Sequence, residues 1–97
     1  MSKLVRDHIP EIIEKATGKT AKTKILEQTE YVARLREKLQ EEVDEYLEEP
    51  CQDELVDITE VVEALAEVEG GLEEMKKIKD KKQRERGAYK KKILLVM

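Results

Sequence analysis

From Tyr31 onward apolar residues recur at helical period, and a single dipeptide, Glu49-Pro50, interrupts the pattern. Tyr31, Leu35, Leu39, Val43, Tyr46 and Leu47 form a stripe that predicts a long helix from about Glu27 to Glu49. Pro50 lacks an amide donor and disfavours helix in the residue before it, so the helix stops there. Leu55, Ile58, Val62, Leu65 and Ala66 then fall on one broad arc, with Val61 at its edge, and predict a second helix from about Gln52 to Val68. Gly70-Gly71 ends it by offering left-handed conformations without a Cβ penalty. A chain organised this way is expected to be all-α.

Two acidic pairs ride on these helices, Glu42 with Glu45 and Glu54 with Asp57. Residues three apart on a helix sit about 60° from each other on neighbouring turns, so each pair can present two carboxylates to one point. Glu54 lies inside the apolar arc of its helix and Asp57 on the margin, whereas Glu60, Glu63 and Glu67 project to the opposite side. On the preceding helix Glu42 flanks the apolar stripe and Glu45 lies one step further out. A carboxylate turned toward a core is costly unless it is paired or holds a metal. Oxygen ligands in number, with no His or Cys spaced to join them, suit Mg²⁺ or Mn²⁺. The alternative is a solvated acidic face, since such spacings arise by chance in any Glu-rich segment.

The remaining segments are shorter. Ser2 to Val5 alternates, and Pro10 opens a brief helix, Glu11 to Ala16, which Asp7 can cap and Thr17-Gly18-Lys19 ends. Thr20 to Leu26 is a basic, β-branched connector. A further helix from about Leu72 to Arg86 has Leu72, Met75 and Ile78 on its apolar side, and Gly87 ends it. Lys90 to Met97 has β-like composition, which predicts that Ile93 to Val96 pairs with Leu4-Val5 as a small terminal β-ribbon.

Ninety-seven residues predict one domain, which buries only about 60–65% of its unfolded surface. With neither Phe nor Trp, its core must come from Leu, Ile, Val and Ala, so a helical bundle completed by oligomerisation is expected, as a dimer first and a tetramer second. The net charge of -4 hides an asymmetry: Glu27 to Met75 holds 18 acids and 3 bases, and Lys76 to Lys92 holds 10 bases and 2 acids. A metal-binding centre flanked by bases suits a polyphosphate. A nucleic acid polymer is not expected, because the basic segment has no interleaved aromatics and the acidic centre repels a long polyanion. Cys51 stands alone, without a disulfide partner or metal-ligand companions. No signal-peptide pattern opens the chain and no apolar run approaches the roughly 18 residues of a membrane span, so a cytoplasmic protein is the expectation.

Three motifs together resemble the all-α nucleoside triphosphate pyrophosphohydrolases, the superfamily that includes MazG-type proteins and phosphoribosyl-ATP pyrophosphohydrolases. Lys3-Leu4-Val5-Arg6-Asp7-His8-Ile9-Pro10 resembles the opening of one small house-cleaning branch. Lys38-Leu39-Gln40-Glu41-Glu42-Val43-Asp44-Glu45, followed by Glu54-Leu55-Val56-Asp57-Ile58, is similar to the superfamily's paired acidic motif. Lys82-Gln83-Arg84-Glu85-Arg86-Gly87-Ala88-Tyr89 resembles the branch's ending. The resemblance implies Mg²⁺, or Mn²⁺, held by Glu42, Glu45, Glu54 and Asp57. It implies hydrolysis of a nucleoside triphosphate, often noncanonical, to the monophosphate and pyrophosphate by a homo-oligomer. Lys82 and Arg86, then Arg6 and Lys3, are the candidate phosphate-binding residues. Phosphoribosyl-ATP hydrolysis is the rival within the same fold, and a non-enzymatic helical interaction module is the rival outside it.

Overall fold

In the computed structural model, which describes residues 2–96, the chain is all-helical, with α1 over Ile9–Thr17, α2 over Gln28–Glu48, α3 over Gln52–Val68 and α4 over Leu72–Arg86. No helix among the described residues is long and apolar enough to cross a membrane. The chain divides into two units, one ending at Leu65 and the other beginning at Ala66.

Helix α1 is longer at both ends than Glu11 to Ala16. Pro10 lies in its first turn, and the Ile9 amide donates to the Arg6 carbonyl at 3.1 Å, so the entering turn closes before Glu11. That turn makes His8 the N-cap, with no side-chain capping bond, and leaves Asp7 inside the turn; the capping role expected of Asp7 is not met. Gly18 ends the helix at φ 71°, and its amide donates to the Glu14 carbonyl at 2.8 Å. The Glu14 carboxylate in turn accepts from the Ala21 amide, which ties down the start of the connector.

Helices α2 and α3 build the first unit's core. Leu35, Val61 and Leu65 are buried together, and Leu4, Tyr31, Val32, Leu39 and Ala64 pack around them. The face of α3 that packs is therefore centred near Val61 and Leu65, about 100° around the helix from Leu55. Leu55 and Val56 remain 45% and 52% exposed, and Leu47 of α2 is 68% exposed. A core this small, beside apolar residues this open, stabilises the unit modestly.

In the second unit the Gly71 amide donates to the Ala66 carbonyl at 2.7 Å, a closure that Gly70 and Gly71 permit at φ 108° and 93°. Helix α4 buries no residue and ends at Gly87. The expected terminal β-ribbon does not form: there is no strand among the described residues, and Ile93, Leu94, Leu95 and Val96 are each at least 77% exposed. Met97, included in the β-like stretch, lies outside the described residues. A two-stranded ribbon is marginal by itself, and Leu4 packs instead against the helical core.

Candidate metal centre

Leu35 and Glu42 are seven residues apart on α2, about 20° from each other, so Glu42 continues the buried stripe where an apolar residue would stand. It is only 6% exposed. Across from it, Glu54 and Asp57 occupy the same face of α3 as Val61, half-buried. The three carboxylates each offer an oxygen within 4.8 Å of the other two. Glu42 Oε2 and Glu54 Oε2 are buried without a hydrogen-bond partner.

Bare buried carboxylate oxygens are costly, and three of them converging are costlier still. Burial is the main force pushing the Glu42 carboxyl above the usual carboxylate range, and the charges of Glu45 and Asp57 push the same way. Lys38, one turn before Glu42 on α2, opposes them with its ammonium 3.3 Å from Glu42 Oε1. One oxygen of Glu42 is thus paired and the other open. Hard carboxylate oxygens of this kind are the ligands that a small divalent cation takes.

Glu45 is exposed and is not one of the three converging carboxylates. Its position, about 60° around α2 from Glu42, turns it outward once Glu42 faces α3. Arg6 forms a two-armed contact with α3, Nη2 to Asp57 Oδ1 at 2.6 Å and Nη1 to Glu60 Oε2 at 2.7 Å. Glu60 first and Asp57 second hold the guanidinium above its ordinary pKa. Lys3 pairs with Glu41 of α2 at 2.7 Å, which raises the lysine and lowers the carboxyl. Lys82 and Arg86 belong to the second unit, exposed and four residues apart on α4, with no salt bridge to either among the described residues.

Lys38, Glu41 and Glu60 are the neighbours that periodicity did not single out. For Lys38 a signal was present, since it stands four residues before an acid that flanks an apolar stripe. Nothing in the sequence joins Arg6 to residues 51 and 54 positions away. A comparison of the chain with family models, curated proteins and solved structures finds no match.

Proposed function

We propose that the chain is a Mg²⁺-dependent nucleoside triphosphate pyrophosphohydrolase, with Mn²⁺ as a substitute ion, that cleaves noncanonical nucleotides to the monophosphate and pyrophosphate in the cytoplasm. The observation that carries this reading is the convergence of Glu42, Glu54 and Asp57, each offering a carboxylate oxygen within 4.8 Å of the others, together with two buried oxygens, Glu42 Oε2 and Glu54 Oε2, that have no hydrogen-bond partner.

Glu42, Glu54 and Asp57 would hold the ion. Bound there, it would neutralise phosphate oxygens and acidify a water for in-line attack on the anhydride. Lys38 favours the ionised form of Glu42 against the upward push of burial, and orients it, through its contact with Oε1. Glu45, exposed beside Glu42, is our candidate for accepting the proton of the attacking water. The resemblance alone makes Lys82 and Arg86, both in the second unit, candidates for gripping phosphate, Arg86 by paired hydrogen bonds and Lys82 as a point charge. The exposed Leu47, Leu55 and Val56 support a homo-oligomer, a dimer by preference, in which a second copy covers them.

Thermal unfolding with and without Mg²⁺ tests the site directly. Saturation at about a hundred times the dissociation constant stabilises a binding protein by about 2.7 kcal/mol, several degrees in a unit this small. Glu54→Gln removes the shift. An ion that leaves the wild-type melting temperature unmoved contradicts the reading.

A further inference from the structure

The segment before α1 carries two cations, and each ends on a helix that supplies the acid group. Lys3 reaches Glu41 on α2, Arg6 reaches Asp57 and Glu60 on α3, and Leu4 between them packs on the core formed by Leu35, Val61 and Leu65. Lys3 and Arg6 are not equivalent in this arrangement. Glu41 stands outside the group of converging carboxylates, whereas Asp57 is one of its three members. One carboxylate is therefore held by a guanidinium and offered to the cluster at the same time.

A dication among Glu42, Glu54 and Asp57 would lie next to that guanidinium, and like charges this close repel. The weaker contact gives way. The Arg6 and Asp57 side chains are 53% and 36% exposed, so their pairing contributes little, while Glu42 Oε2 and Glu54 Oε2 have no partner at all in its absence. Glu60 lies one turn beyond Asp57 and outside the group, so it retains the Nη1 arm after Nη2 lets go. The freed Nη2 then has its own N–H donors to offer a phosphate oxygen.

We propose that Arg6 and a divalent cation compete for Asp57, and that loading the cation transfers Arg6 from Asp57 to the phosphates of the substrate. This rests on the metal-centre reading above. It makes Arg6 a counter-ion in the unloaded protein and a phosphate ligand in the loaded one, so that its Nη2 arm is released to an anion only when the cation is in place.

The competition predicts effects of opposite sign from one substitution. In the full chain Arg6→Gln tightens Mn²⁺ binding, measured with the metal alone by electron paramagnetic resonance, by about three- to tenfold. The same variant, saturated with Mg²⁺, binds inorganic pyrophosphate about three- to tenfold more weakly by calorimetry. Lys15→Gln, which removes an equal charge paired to Glu11 on α1, moves neither value by more than about twofold. Unchanged or weaker Mn²⁺ binding in Arg6→Gln overturns the proposal, and so does unchanged pyrophosphate binding. A wild-type protein that binds no cation overturns the metal centre together with it, and is told apart by that fact. Should Arg6→Gln not fold, the side-chain N–H resonances of Arg6 in the wild type decide the matter: they move on Mg²⁺ titration if Asp57 is surrendered, and stay fixed if it is not.

Discussion

Lys38 Nζ stands 3.3 Å from Glu42 Oε1, while Glu42 Oε2 is buried with no partner. The pair sets the electrostatics of the metal-free protein. Glu42 is raised above the usual carboxylate range chiefly by burial, so the native state holds its proton to higher pH than the unfolded chain does. Stability from this group is accordingly present at low pH and lost as pH rises from the ordinary carboxylate range through the raised value. In EDTA at neutral pH, Glu42→Gln is expected to melt higher than the wild type, by about 1 kcal/mol or roughly 4–8 °C, with the gap closing on acidification. Lys38→Met moves stability the other way, by about 1–3 kcal/mol, because it strips the paired ammonium from a buried acid. Urea or thermal unfolding across pH 4 to 8 distinguishes the two.

Glu54 and Glu63 lie on one helix but on different faces, the first half-buried in the cluster and the second exposed. Glu54→Gln is expected to abolish Mg²⁺-dependent hydrolysis and leave the metal-free fold intact, since it deletes one ligand and relieves repulsion among three acids. Glu63→Gln should retain activity within about twofold. Equal losses in steady-state assays of both variants would show that the metal face has been assigned to the wrong side of α3.

On α4, Lys82 and Arg86 are exposed, and there is no salt bridge to either among the described residues. Arg86→Ala should weaken turnover about tenfold or more while leaving the Mg²⁺-induced melting shift in place, because Arg never ligates a metal but bonds phosphate strongly. Lys77→Ala, outside the motif near the helix start, should cost much less at moderate salt, where long-range attraction is screened. Matched losses that disappear together on adding salt would reduce the basic helix to a general attractor of anions.

Apolar exposure at Leu47, Leu55 and Val56 predicts self-association. Sedimentation at micromolar concentration should give a dimer, and Leu55→Glu should shift it to monomer by burying a charge in the interface. A compact wild-type monomer at that concentration contradicts the expectation.

Helix positions were the legible part of this sequence. The bounds of α3 and α4 follow from Pro50, Gly70-Gly71 and Gly87, residues whose backbone chemistry is local. The direction each helix faces was only partly legible. Leu55, inside the apolar arc of α3, is 45% exposed, and Val61, at the edge of that arc, is buried. Periodicity gives the width of an apolar face but not the line along which a neighbour crosses it, and that line put Glu54 and Asp57 beside Glu42 and left Glu45 outside. The Arg6 contacts were hidden for another reason: they join the segment before α1 to a helix more than fifty residues later, and no pattern spans that distance.

The products of the proposed reaction test it most directly. Over a panel of canonical and modified nucleoside triphosphates in Mg²⁺, the wild-type protein should release pyrophosphate and nucleoside monophosphate in equal amounts. Both should vanish in EDTA and in Glu54→Gln. Release of orthophosphate, or turnover that survives Glu54→Gln, would contradict a pyrophosphohydrolase centred on Glu42, Glu54 and Asp57.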